Sequence, residues 1–169
     1  MEFFFDDDAD AAVRALWQQL ERAKVPSLAS RSHRRHQPHV TFAIASSIPT
    51  KARQALAGQL ALLSLPALWL YTLGSFPTKE NALFLGAVTD AELLAVHSAV
   101  HDVLAGKVRD PWAYYLPGAW VPHCSLAQDL DPQQLAAGFA ALHPAQPVRA
   151  KISRVGVTDT RTGETELLW

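Results

Sequence analysis

The sequence predicts an α+β fold made by duplication, with antiparallel sheets and helices packed outside them. Three observations carry that expectation. A short strand motif occurs twice, as Pro38-His39-Val40-Thr41-Phe42 and as Pro122-His123-Cys124-Ser125-Leu126. After each copy come a helical pattern and two apolar runs of strand length around a turn signal, so the order motif strand, helix, strand, turn, strand is repeated. Those strand pairs read as hairpins, which imply antiparallel pairing and not the parallel sheet of a doubly wound fold. Leu73-Gly74-Ser75 in the first unit stands where Val155-Gly156-Val157 stands in the second. The expectation is one domain over 1–169, with motif units at about 38–88 and 119–169. A pseudo-two-fold axis would bring the two motif strands together at the centre.

Taken in order, residues 2–5 form a short strand closed by Asp6-Asp7-Asp8. Asp7 or Asp8 is placed to cap the next helix and to favour its positive end. Val13, Leu16, Trp17 and Leu20 recur at i, i+3, i+4 and i+7, an amphipathic helix ending near Lys24-Val25-Pro26. A loop rich in Ser, Arg and His leads to a motif strand over 38–45. Pro49-Thr50 opens a second helix with Ala52, Leu56, Leu60 and Leu63 inward, and Pro66 stops it. Strands over 67–75 and 82–88 flank a turn at Pro77–Asn81. Thr89-Asp90-Ala91-Glu92 has the form of a capping box, with Leu93, Val96, Val100 and Leu104 facing inward and Gly106 ending that helix. A loop over 107–118 precedes the second motif strand, 119–127. Asp131-Pro132-Gln133-Gln134 starts a fourth helix, and residues 147–157 and 164–168 close the chain as a hairpin.

Composition bounds the function. With 169 residues and 49% hydrophobic content the chain buries a proper core. Fifteen basic and sixteen acidic residues give a net charge of −1, so no overall basic field holds a long duplex and polyanion contact must come from local patches. The single cysteine excludes an internal disulfide and fits a reducing compartment. The apolar start is too short for a signal peptide, and no stretch approaches the roughly 20 apolar residues of a membrane span. A cytoplasmic monomer that needs no cofactor is expected.

On a strand, His39 and Thr41 share one face, as do His123 and Ser125. Each unit therefore offers an imidazole and a hydroxyl side by side, and two units across a groove supply proton-transfer groups and hydroxyl donors for chemistry at phosphorus. The sequence resembles the two-histidine (2H) phosphoesterase superfamily, which includes bacterial 2′-5′ RNA ligase-like proteins and RNA 2′,3′-cyclic phosphodiesterases. His39-Val40-Thr41-Phe42 and His123-Cys124-Ser125-Leu126 carry the resemblance, with Ser125 where threonine is commoner. It implies a two-lobed structure with the motifs lining a central cleft, no metal requirement, and action on cyclic phosphates or 2′-5′ phosphodiesters of ribonucleotides. Many RNA-specific members carry an arginine two residues beyond the second motif's apolar position; here that residue is Gln128, a candidate contact to substrate phosphate or sugar.

In that reading one histidine takes a proton from water and the other protonates the departing ribose oxygen. Thr41 and Ser125 hydrogen-bond the non-bridging oxygens. The family resemblance makes His123 the base and His39 the acid. The same site could instead form a 2′-5′ bond, or bind nucleotide or RNA without turnover, although both histidines and both hydroxyls are present. Cys124 points away from the motif face and is read as structural. His33, His36 and His39 are spaced like ligands, but Pro38 breaks a helix through them. His97 and His101 sit at i, i+4 without the glutamate of a zinc-protease motif, so metal is the weaker reading for both groups. Arg31, Arg34 and Arg35 precede the first motif; Lys107, Arg109, Trp112, Tyr114 and Tyr115 precede the second. Arg34, Arg35, Trp112, Tyr114 and Tyr115 are candidates for phosphate contact and base stacking. The expected partners are ribonucleotide cyclic phosphates or short RNA ends.

Overall fold

Alternation and helical periodicity in the chain resolve into ten strands and four helices in a computed structural model that describes residues 1–30, 35–79 and 81–169. The strands are β1 (Glu2–Phe5), β2 (His39–Thr41), β3 (Ala45–Ser47), β4 (Leu68–Ser75), β5 (Leu83–Ala87), β6 (Arg109–Pro111), β7 (His123–Ala127), β8 (Val148–Ala150), β9 (Ile152–Thr158) and β10 (Thr165–Leu167). The helices are α1 (Asp7–Arg22), α2 (Thr50–Leu60), α3 (Ala91–Leu104) and α4 (Pro132–Leu142).

Two four-stranded antiparallel sheets carry the fold, in the orders β10-β9-β1-β2 and β7-β5-β4-β8. Written from the motif strands inward they correspond position by position: β2 with β7, β1 with β5, β9 with β4, β10 with β8. The helices follow the same pairing, since α1 packs on α4 and α2 on α3. Strand β4 follows the first motif in the chain but pairs with β5 and β8 of the other sheet. Strand β9 follows the second motif but pairs with β1. The two halves are therefore exchanged into one another. The motif strands lie at sheet edges and pack side by side at the centre of the molecule.

The core explains why the motif strands hold still. Val40, Phe42, Cys124 and Leu126 are all buried, opposite the face that carries the histidines. Phe42 stacks on Phe3 with ring centroids 3.6 Å apart. Under them α3 contributes Leu93, Val96, Val100 and Leu104, the inward stripe expected from its spacing, and also His97 at 1% exposure. The fourth helix starts with the full capping box, Asp131 accepting from Gln134 N and the Gln134 side chain from Asp131 N.

Several boundaries differ from the sequence expectation. Helix α1 is capped by position 6, not by Asp7 or Asp8, and the Asp6 carboxylate accepts from Lys151 N (3.1 Å) instead of closing the helix end. Helix α3 takes Asp90 as its N-cap, bonding Leu93 N at 2.8 Å, so the Thr89–Glu92 box does not form. The strand expected over 38–45 stops at Thr41, because Ile44 O accepts from Trp112 N and residues 45–47 pair with β6. The loop expected over 107–118 accordingly contains β6 and a 3-10 turn at Ala113–Tyr115. The second motif strand begins at His123, not at 119; Gly118 before it has φ +89°. The run 147–157 is two strands, because the backbone bond from Asp6 N to Lys151 O marks where the chain leaves one sheet for the other.

Candidate functional site

Both motifs fix their imidazoles by the same local device. The Nδ1 of His39 lies 2.7 Å from Gln37 O, and the Nδ1 of His123 lies 2.7 Å from Val121 O. A carbonyl only accepts, so each Nδ1 carries the hydrogen and each neutral ring keeps its lone pair on Nε2. The proline between acceptor and histidine holds the extended backbone that makes this bond possible. His39, Thr41, His123 and Ser125 line one cleft of about 1160 Å³ between the sheets. Two imidazole Nε2 atoms and two hydroxyls thus face a common space large enough for a nucleotide.

The surroundings of the two rings differ. His123 is packed by Phe76 and Phe84, with ring centroids 4.9 and 5.1 Å away. Burial pushes its pKa down; the Val121 carbonyl opposes that shift and His39 adds to it. Beside His39 stand Phe4, edge-on at 5.9 Å, and Glu2, whose Oε1 lies 3.5 Å from Nε2. The other oxygen of Glu2 accepts from Thr158 Oγ1 at 2.6 Å, and Thr158 in turn shares a hydrogen with Thr165 at 2.9 Å. Burial alone would raise the Glu2 pKa, but His39, the Thr158 hydroxyl, the Met1 amino group and His36 together hold it below the ordinary value.

Of the other residues singled out in the sequence, Arg35, Tyr115 and Gln128 line the cleft, and Arg35 also lies 3.8 Å from Glu164. Trp112 and Tyr114 are exposed, 54% and 77%, and are not among the lining residues. Arg31, His33 and Arg34 lie outside the described residues. Cys124 is buried on the opposite face, where desolvation pushes its thiol up to about 12, as a structural role requires. His97 and His101 both point Nε2 at Phe42 O (3.2 and 3.0 Å), and His97 also reaches Tyr115 O at 3.0 Å. Among the described residues no three His, Cys, Asp or Glu side chains group as metal ligands.

Sequence reasoning missed Glu2, Thr158 and the Phe76–Phe84 pair. A glutamate opening an otherwise apolar strand, Glu2-Phe3-Phe4-Phe5, was the available signal, since an inner strand seldom carries an acid without a partner. Also missed was Arg53, which lines the cleft, donates to Ile48 O at 2.8 Å and pairs with Glu166.

Twin His-x-Thr/Ser strands side by side between two exchanged antiparallel sheets are consistent with the two-lobed fold of the two-histidine superfamily. The chain belongs to the 2′-5′ RNA ligase superfamily, whose model matches residues 9–164 and so takes in both motifs. Among curated proteins none matches it. Members of this superfamily act on RNA or nucleotide substrates, and no helix among the described residues is long and apolar enough to cross a membrane.

Proposed function

We propose that this protein is a metal-independent phosphodiesterase that opens 2′,3′-cyclic phosphates of ribonucleotides or RNA ends. The observation that carries the reading is the pair of carbonyl-anchored imidazoles with Nε2 available to one cleft, each beside a hydroxyl. Water attacks phosphorus while one Nε2 takes its proton. The bond from phosphorus to a ribose oxygen breaks, and the other imidazolium protonates that oxygen, leaving a phosphate monoester. Thr41 and Ser125 donate to the non-bridging oxygens as the charge on them rises. Such a pair needs one neutral and one protonated ring, so the rate should be bell-shaped in pH.

The test is purified protein in EDTA with a panel of 2′,3′-cyclic nucleotides, a short cyclic-phosphate RNA and 2′-5′ dinucleotides. Turnover of the cyclic substrates supports the reading. Activity lost in EDTA and restored by zinc would overturn it, and reaction of the 2′-5′ dinucleotides alone would move the assignment to the ligase direction.

Tyr115 lines the cleft, as does the buried Phe4, and we take Tyr115 as the residue that stacks on a base. Tyr115→Ala is expected to raise KM for cyclic nucleotides about 5- to 150-fold, the equivalent of about 1–3 kcal/mol per stacked base. A cyclic phosphate without a base should be little affected. Trp112→Ala and Tyr114→Ala should leave both KM values near wild type, given where those rings sit.

A further inference from the structure

The duplication that builds the site also shows where its symmetry is broken. Crossing from the first motif strand, Thr41 pairs with Glu2 and Glu2 with Gly156. Crossing from the second, Ser125 pairs with Phe84 and Phe84 with Gly74. The two rows match residue for residue: a motif hydroxyl, then the residue in question, then a glycine. Glu2 and Phe84 therefore occupy the same place in the two halves. One is a carboxylate 3.5 Å from His39 Nε2, and the other is an aromatic ring against His123.

We infer that Glu2 is a positioning residue that keeps the proton on His39, so that the Glu2/Phe84 difference decides which imidazole is the acid and which the base. This rests on the two-histidine chemistry proposed above. The Glu2 carboxylate is held in place by Thr158 and is charged, so an imidazolium at His39 has a counter-ion at ion-pair distance, 3.5 Å from Nε2, while Nδ1 stays on Gln37 O. An imidazolium at His123 would lie against the Phe76 and Phe84 rings, with Nδ1 on Val121 O and the other imidazole acting on it, in a space that penalises charge. Among the described residues the other ionisable groups acting on Glu2 are the Met1 amino group and His36, and His123 acts on His39; all are cationic when protonated, and none replaces a carboxylate. The Arg53–Glu166 pair on the cleft wall satisfies itself.

The experiment is Glu2→Gln, which keeps the side-chain size and an acceptor for Thr158, with Glu2→Asp as the restoring variant. Two readouts are taken. The first is the histidine ring-proton NMR titration, with the His39 signal identified by its loss in His39→Ala. It should move to lower pH in Glu2→Gln and return toward wild type in Glu2→Asp. The second is kcat/KM on a 2′,3′-cyclic nucleotide across pH. In Glu2→Gln the alkaline limb should move to lower pH, costing about tenfold at pH 8 and less than about twofold at pH 6, with the acidic limb in place. An unmoved His39 titration, or a uniform loss at all pH values, would overturn the inference. If wild type turns over none of the substrates yet the titration moves as described, the pairing of Glu2 with His39 stands and the phosphodiesterase reading falls.

Discussion

Replacing His39 or His123 by alanine is expected to lower kcat on a 2′,3′-cyclic nucleotide by about 10²–10⁴-fold each, with the melting temperature close to wild type. Each ring is held by one bond to a local carbonyl and is partly buried on the cleft wall, outside the fully buried core, so its loss removes chemistry at a modest cost in packing. The two losses should separate on a nitrophenyl phosphodiester, whose leaving group departs without a proton. There His39→Ala should cost less than about tenfold, while His123→Ala keeps most of its defect because water still needs a base. Equal defects on the nitrophenyl substrate would reverse or dissolve the division of labour, and near-wild-type turnover of either variant on the cyclic nucleotide would remove the two-histidine mechanism altogether. Arginines before the first motif argue, from sequence alone, for His39 as the base. The carboxylate of Glu2, 3.5 Å from His39 Nε2, and the aromatic walls around His123 argue the other way.

Glu2 shows what a sequence can and cannot disclose here. The motifs, the four helices and the two glycine-centred strands are legible because each rests on local periodicity or on capping chemistry a few residues long. Asp131 and Gln134 are an instance: their box forms as written. Glu2 is different. It reaches His39 because β1 lies between β2 and β9, a register spanning most of the chain, and nothing local announces that neighbour. The split of 147–157 into β8 and β9 is hidden for the same reason, since a strand that changes sheets keeps the same alternation. Trp112 and Tyr114 were plausible beside cations in a loop, but β6 zips that loop onto β3 and leaves only Tyr115 along the cleft.

His97 is the other residue whose role required the fold, and it gives the second large expected effect. Its place in the stripe Leu93, Val96, Val100 marks it as inward-facing, and a histidine there needs partners. The ring is sandwiched flat on Trp120, 3.9 Å between centroids, and bonds Phe42 O and Tyr115 O. Trp120 Nε1 in turn donates to Thr41 O at 2.9 Å, so the cluster braces the backbone of the first motif. Burial, reinforced by His101, pushes the His97 pKa down to about 4. The unfolded chain binds this proton from about pH 6.5 downward and the native state only near 4, so stability falls as pH drops through that window and is fully present above it. The site's share of that loss reaches about 3 kcal/mol at the acid end, on the order of a hundredfold in the folding equilibrium. Urea denaturation of wild type and His97→Gln at several pH values between 7 and 4 measures it. The variant should be less stable at pH 7, having lost the Trp120 stack, yet flatter toward acid. Parallel pH dependences in the two proteins would mean that another group carries the acid sensitivity, and that the His97 cluster holds the motif strand by packing alone.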